Sequence, residues 1–113
     1  MSVKRVVDFS KYLTAQSMAA TVTGASTNVL YTDRVAYQIN WTGSAVGIFT
    51  VEGSNDEVVW TNLPLSTSVT ADNAADDAVI EVETALKFVR LLYTRTSGTG
   101  TLNAYITAKA ISG

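Results

Sequence analysis

Residues 35–60 have the sequence VAYQINWTGSAVGIFTVEGSNDEVVW, in which two runs of alternating apolar and polar residues are separated by a short turn. Successive side chains of a β-strand point to opposite sides, so the apolar members of each run share one face of a strand. They are Val35, Tyr37, Ile39 and Trp41 in the first run, and Phe49 and Val51 in the second. Turn-forming residues occupy positions 42–44 and 53–56. We therefore predict a β-hairpin around which the other strands are arranged.

The rest of the chain shows the same period of two in further short runs. They lie at residues 18–23, 60–63, 78–83, 88–94 and 102–109, and residues 29–32 form a further short strand or the lead-in to the first long one. The run at residues 88–94 is apolar on both sides, which is typical of a strand covered on both faces. Residues 66–77 are small and polar and form the longest candidate loop. This pattern predicts an all-β fold, an antiparallel β-sandwich or jelly roll of seven to eight short strands in a single domain over residues 1–113.

Residues 1–16 fit two patterns equally well. Phe9, Tyr12 and Leu13 have helix-like spacing after a possible cap at Asp8, whereas the valines before them and the small residues after them suit an extended segment. We expect an extended arm with at most one helical turn.

The composition argues against most kinds of chemistry. The 113 residues include no cysteine and no histidine, which excludes a thiolate nucleophile, a Cys-based zinc site and a Ser-His or Cys-His pair. The net charge is −2 and the eight basic residues are scattered, so no nucleic-acid-binding surface is indicated. No apolar run approaches the ~20 residues that cross a bilayer, and the N-terminus has no secretory signal. We expect a protein without enzymatic activity, cofactor, metal, nucleic-acid partner or membrane partner.

Two clusters of oxygen-bearing side chains deserve a chemical test. One comprises Asn55, Asp56 and Glu57, and the other comprises Asp72, Asp76 and Asp77. Calcium binds such clusters, and a calcium site stays open as an alternative. The spacing matches no EF-hand loop, however, and Asn and Asp are common in turns because they bond to the local backbone. Turn formation is the favoured explanation.

The aromatic and basic side chains allow two interpretations. Trp41, Trp60, Tyr37 and Tyr105 could form a platform for a sugar or a single-stranded nucleic acid. Because Trp41 shares a strand face with Tyr37 and Ile39, we expect it in the core. Arg90 and Arg95 flank the most apolar strand, and each is expected to pair with a carboxylate such as Glu81 or Glu83 or to lie in a protein interface.

Two stretches of the chain resemble the small β-sandwich virion proteins of tailed bacteriophages. They are NWTGSAVGIFTVEGSNDEVVW at residues 40–60 and FVRLLYTRTSGTGTLNAYITAKA at residues 88–110. In those proteins a Trp-Thr-Gly turn, a Gly-x-Phe-x-Val strand, a Gly-Ser-Asn-Asp turn with a nearby Trp, and a Tyr-Thr-Arg-Thr-Ser-Gly-Thr-Gly turn recur. The turn of that family commonly has glycine where this chain has Glu57, so we expect a different turn geometry here.

The resemblance implies a structural component of a virus particle, made in the host cytoplasm and located on the capsid surface. Within that class we expect a capsid decoration, or cement, protein whose partners are the major capsid protein and further copies of itself, as a dimer or trimer. A tail or baseplate component and a discoidin-like carbohydrate-binding module stay open as alternatives. Aromatic residues and Arg are enriched at protein interfaces. The candidate interface residues are Phe9, Tyr12 and Leu13 in the arm, together with Tyr105 and Arg95.

Overall fold

The computed structural model describes residues 3–29, 32, 34–65 and 69–112, and in these ranges every regular element is a β-strand. Within them, no helical segment has the length and apolar character that crossing a membrane requires. The strands are β1 Val3–Ser17, β2 Val22–Thr23, β3 Thr27–Asn28, β4 Arg34–Gly43, β5 Val46–Ser54, β6 Thr61–Asn62, β7 Val69–Asp72, β8 Asp76–Glu83, β9 Phe88–Ser97 and β10 Gly100–Ser112.

The strands form two antiparallel sheets. Sheet A has the order β1-β10-β4-β8. Sheet B has the order β2-β9-β5-β6, with β3 also paired to β9 and β7 also paired to β5. Many of the strand pairs are nested along the chain, so that an early strand pairs with a late one. β1 pairs with β10, β2 and β3 pair with β9, β4 pairs with β8, and β5 pairs with β6 and β7. This nested pairing is the jelly-roll arrangement.

The predicted fold class is confirmed, but the predicted strand inventory is not. Among the described residues there are ten strands rather than seven or eight. Three of them have only 2 residues, whereas β1 has 15 and β10 has 13. Two-residue strands carry no detectable period, so alternation alone misses them.

The predicted hairpin between β4 and β5 is wrong. β4 pairs with β10 and β8 in sheet A, while β5 pairs with β9, β6 and β7 in sheet B. Alternation reveals which face of a strand is buried, but it does not reveal which strand lies beside it. In a sandwich the two buried faces oppose one another, and the ring centres of Trp41 and Phe49 are 5.1 Å apart across the interior. The turn at residues 42–45 therefore crosses between the sheets.

The core lies between the two sheets and contains the apolar positions predicted for β4 and β5. Trp41 is 2% exposed, which confirms its expected place in the core. The alternation predicted for β8, β9 and β10 is confirmed by the burial of one face of each strand. The buried side chains of these three strands are Ile80, Val82, Val89, Leu91, Tyr93, Leu102, Ala104, Ile106 and Ala108. The other face of β9, which includes Phe88, Arg90 and Leu92, is partly exposed rather than fully covered.

Residues 3–17, for which an arm was expected, form a strand of sheet A that pairs with β10 from Val3 to Ser17. No helical turn is present in this segment. The register shifts between Val6 and Asp8, between Lys11 and Leu13, and again before Gln16. Each shift is an irregularity that interrupts the period of two, which explains why alternation fails here.

Three shorter predictions also change. The predicted loop at residues 66–77 contains β7, whose Val69 and Ala71 are buried; residues 66–68 lie outside the described part of the chain. Of the strand predicted at residues 18–23, only Val22–Thr23 is a strand. Met18 is fully buried, and its N–H donates to the Gly100 carbonyl at 2.9 Å. Of the short strand or lead-in predicted at residues 29–32, Val29 and Thr32 are not part of a strand, the nearest strand is β3, and residues 30–31 lie outside the described ranges.

Candidate interaction surface

Tyr12 connects the two sheets at one edge of the sandwich. Its hydroxyl donates to the Ala25 carbonyl and accepts a hydrogen bond from the Leu91 N–H at 3.3 Å. Its ring packs edge-on against Tyr37, with ring centres 5.2 Å apart. The chain passes the ring so closely that a Cβ on Gly24 would lie 2.2 Å from the Tyr12 hydroxyl. Burial raises the pKa of Tyr12, so the hydroxyl stays protonated and able to donate.

Replacement of Tyr12 by Phe is expected to lower the free energy of unfolding by about 1–3 kcal/mol, because it removes a partner from two backbone groups. Chemical denaturation measures the change. Tyr93→Phe is the matched control, since within the described residues the buried Tyr93 hydroxyl has no hydrogen-bond partner to lose, and its removal should lower stability by less than about 0.5 kcal/mol. Equal effects of the two substitutions would contradict the bridging role of Tyr12.

The other two residues predicted in the arm have different places in β1. Leu13 is partly buried and packs against the core. Phe9 is paired with Thr107 of β10, and its side chain lies outside the described part of the structure. The visible role of Tyr12 and Leu13 is to attach β1 to the sandwich, and their role in an interface stays a prediction.

Tyr105 and Arg95 lie at different places on the surface. Tyr105 is on the outer face of sheet A, with the Lys11 ammonium 5.9 Å from its ring centre. Arg95 is exposed at the end of β9, where its Nε donates to the Gly98 carbonyl at 2.9 Å and its backbone N–H donates to Thr21 Oγ1 at 3.1 Å. Arg95 therefore lies at the turn that leads into Gly100, the first residue of β10. Tyr105 is five residues further along β10, which is about 17 Å of strand. The structure therefore does not bring the five candidate interface residues together in one patch.

The turn at residues 54–59 is organised by Asp56. Its Oδ1 accepts hydrogen bonds from the N–H groups of Val59 and Val58 at 3.0 and 2.9 Å, and from the Ser54 hydroxyl at 2.9 Å. The Val59 N–H, followed by the Val58 N–H and the Ser54 hydroxyl, holds the pKa of Asp56 below its ordinary value. One oxygen of this carboxylate is thus already used by its own turn, which supports turn formation over calcium binding.

The second acidic cluster is explained locally in a similar way. The Asp76 carboxylate accepts a hydrogen bond from the Asp77 N–H at 2.8 Å. Across the described residues, no group of three or more acidic side chains is close enough together to hold a metal ion.

Glu57 has a φ of 61°, in the left-handed region that favours glycine. The expectation of a different backbone geometry at this turn is therefore wrong: the chain has the conformation that glycine adopts readily, with a residue that adopts it at a cost.

Glu57→Gly is expected to raise the free energy of unfolding by up to about 1 kcal/mol. Relief of the left-handed conformation, about 1–2 kcal/mol, exceeds the added backbone entropy of glycine in the unfolded chain, about 0.5–1 kcal/mol. Val58→Gly in the same turn is the control, because the φ of Val58 is not positive and only the entropic cost applies. Thermal denaturation of both variants compares them, and destabilisation by Glu57→Gly would contradict the assignment of strain.

The aromatic platform is not assembled. Trp41 and Tyr37 are buried, and Trp41 Nε1 donates to the Ala74 carbonyl at 3.0 Å. Trp60 and Tyr105 are partly exposed, but Trp60 packs on Arg90 of sheet B whereas Tyr105 belongs to sheet A. The four rings therefore do not share a surface on which a sugar or a base could stack.

Arg90 has a partner different from the one expected. Its Nε donates to Glu52 Oε1 at 2.8 Å, and its guanidinium lies 4.1 Å from the Trp60 ring centre. Glu81 and Glu83 belong to sheet A and lie beside Arg34 instead. The sequence could not reveal these partners, because it does not show that Arg90 and Arg95 belong to sheet B whereas the two glutamates belong to sheet A.

Among the side chains that the structure describes, four large apolar ones are exposed, and the sequence pattern did not single them out. They are Ile48, Val58, Val59 and Val79. Ile48 and Val79 occupy the outward positions of alternating strands, and the signal that could have identified them is an apolar residue at a position expected to be polar. Side chains of this kind can contribute to a protein interface.

No family model matches the chain, and no curated protein matches it. Among solved structures, the SPBc2 prophage-derived protein YomS is similar, with a TM-score of 0.64 and 13% sequence identity over 95% of this chain and 96% of that one. A structure of infectious bursal disease virus, Gx strain, is also similar, with a TM-score of 0.59 and 10% identity over 97% of this chain and 33% of that one. The chain thus corresponds to about a third of the viral chain. These similarities establish a shared jelly-roll β-sandwich fold.

Proposed function

We propose that this chain is a non-enzymatic structural protein of a bacteriophage virion, specifically a capsid decoration protein that binds the assembled shell and stabilises contacts between capsomers. The observation that carries the proposal is the end-to-end similarity in fold to a prophage-derived protein, which covers nearly all of both chains. The similarity to a chain of a virus structure supports the broader class, a structural protein of a virus particle.

The two stretches that resemble phage virion proteins meet in the folded chain. The turn of the first stretch contacts the turn of the second, where the Ser44 N–H donates to the Thr99 carbonyl at 2.8 Å. The Trp-Thr-Gly turn and the Ser-Gly-Thr-Gly turn are far apart in sequence but in contact in the folded chain. Their joint contribution to a single fold supports a family resemblance rather than two unrelated matches.

The proposed partners are the major capsid protein and further copies of this chain, on the capsid surface. A specific contact requires a buried area of at least ~1,000 Å² in total. The exposed apolar side chains Ile48, Val58, Val59 and Val79 can contribute to such contacts. An oligomer binds several shell sites at once, so that modest individual contacts combine through effective concentration.

Sedimentation with purified expanded shells tests the proposal. We expect the chain to co-sediment with shells up to a fixed number of copies, and to raise the temperature at which the shells disrupt. Purified tails of the same phage are the matched control particle. Binding to tails and not to shells would replace decoration by a tail or baseplate role, and binding to neither would overturn the virion assignment.

A further inference from the structure

Among the described strands, β1 and β8 form the two edges of sheet A. An edge strand has backbone N–H and C=O groups that are not paired within its own sheet, and it can accept a strand from another molecule. β1 is 15 residues long and β8 is 8 residues long, so each offers enough backbone for several hydrogen bonds.

The two edges have opposite charge. β1 contains three basic residues, Lys4, Arg5 and Lys11, and a single acidic one, Asp8. β8 contains four carboxylates and no basic residue, and all four are exposed; they are Asp76, Asp77, Glu81 and Glu83. Charges on edge strands commonly prevent pairing between copies. Here they disfavour β1 with β1 and β8 with β8, but they favour β1 of one copy with β8 of another.

The directions of the strands also suit this contact. All neighbours in sheet A are antiparallel, and the order contains four strands, so β1 and β8 run in opposite directions. A second copy that continues the sheet beyond β8 therefore presents its β1 antiparallel to β8. Antiparallel pairing is the more stable form per residue.

One register matches the charges at both ends of β8. Within the chain, Val7 is the extra residue between the pairs Val6–Lys109 and Asp8–Ala108. If β1 keeps this irregularity, placing Lys4 opposite Glu83 also places Lys11 opposite Asp77. Opposite charges directly across a strand pair stabilise it.

The same register places Phe9 opposite Val79, the apolar side chain of β8 that is 51% exposed. Glu83 is also available for the contact: its side chain is 71% exposed although it forms an ion pair with Arg34 of the neighbouring strand. An exposed valine between two exposed carboxylates is thus explained as the centre of a strand pair whose ends are charged.

From these observations we infer that copies of this chain associate head to tail, with β1 of one copy added to β8 of the next so that sheet A is continuous across the contact. Such a contact is heterologous, and it closes into a ring or extends as a filament according to the rotation between copies. The inference identifies the surface for the proposed self-association. It does not depend on binding to a shell.

The mass of the purified protein in solution, measured by light scattering after size exclusion, tests the contact. At low salt we expect assemblies larger than the 12.0 kDa chain. Two charge-reversed variants, D77K/E83K in β8 and K4E/K11E in β1, are each expected to be monomers, because each places like charges opposite one another at both ends of the proposed register. The control E57K/D72K reverses two exposed carboxylates outside sheet A and is expected to assemble like the parent chain.

Mixing the two reversed variants provides the decisive result. In the mixture, the reversed β1 of one variant meets the reversed β8 of the other with opposite charges at both ends of the register, so we expect assemblies that contain both variants. Far-UV circular dichroism verifies that each variant alone is folded. A parent chain that is monomeric, reversed variants that still assemble while folded, or a mixture that stays monomeric would each overturn the inference.

Shell binding is scored separately with the same proteins. Assembly in solution without binding to shells would leave the β1–β8 contact in place and remove the decoration role. Binding to shells by a monomeric parent chain would retain the decoration role and overturn the β1–β8 contact.

Discussion

Phe49→Ala is expected to lower the free energy of unfolding by about 3–5 kcal/mol, a large part of the 5–15 kcal/mol that stabilises an ordinary domain. Phe49 is 1% exposed and lies between two other rings. Its ring centre is 5.1 Å from that of Trp41 in sheet A and 5.0 Å from that of Tyr93 in sheet B. Removing the ring leaves a cavity at the place where the two sheets are in contact, and it removes both aromatic contacts.

Ile48→Ala is the matched control, because it alters the neighbouring residue of the same strand on the opposite face. Ile48 is 52% exposed, and its truncation is expected to change stability by about 0.5 kcal/mol. Urea denaturation followed by tryptophan fluorescence measures both variants, since Trp41 contacts the altered site. Similar losses for the two substitutions would mean that β5 does not separate a buried face from an exposed one.

The contrast between Ile48 and Phe49 also shows what the sequence could predict. The period of two assigned the buried face of β4, β5, β8, β9 and β10, because burial of alternate side chains leaves a local pattern. It could not assign neighbours, which depend on contacts between distant parts of the chain. The hairpin predicted between β4 and β5 failed for this reason, since two strands with facing apolar sides look the same in sequence whether they lie side by side or in opposite sheets.

The candidate interface shows a second limit of the sequence. Irregularities in β1 displace Tyr12 and Leu13 from simple alternation, and their spacing then resembles that of a helix. The bonds of the Tyr12 hydroxyl to Ala25 and Leu91 join residues that are 13 and 79 positions away. No local pattern predicts such contacts. The opposite charges of β1 and β8, in contrast, are present in the sequence, but they acquire meaning only when the sheet order makes both strands edges.

The second large loss of stability is expected at the two turns in which the chain crosses between the sheets, residues 42–45 and residues 97–100. Gly98 has a φ of 76°, and a Cβ on this residue would lie 2.0 Å from the Ser44 carbonyl oxygen. Gly43, in the opposite crossing, has a φ of 91°, and its Cβ would lie 2.6 Å from the Thr99 carbonyl oxygen. Both obstacles are backbone atoms, which cannot rotate away as a side chain can. The two crossings therefore fit together only because each has a glycine at the point of contact.

Gly98→Ala is expected to lower the free energy of unfolding by about 2–4 kcal/mol. The left-handed conformation costs about 1–2 kcal/mol and the clash about 1–3 kcal/mol. Alanine also lowers the conformational entropy of the unfolded chain, which offsets about 0.4–1 kcal/mol of this loss. Thr99→Ala is the control, because Thr99 is exposed and its backbone carbonyl, which accepts the bond from Ser44, is kept. Thermal denaturation compares the two variants.

Gly98→Asn separates the two causes. Asparagine tolerates a positive φ better than other residues with a Cβ, so strain in the backbone alone would make this variant much milder than Gly98→Ala. The close approach to Ser44 predicts instead that Gly98→Asn keeps the part of the loss that the clash causes, about 1–3 kcal/mol, because it places a Cβ against the same carbonyl oxygen. A mild Gly98→Asn variant would therefore show that the crossings have room to separate, and that the joint between residues 42–45 and 97–100 is less tightly packed than the structure indicates.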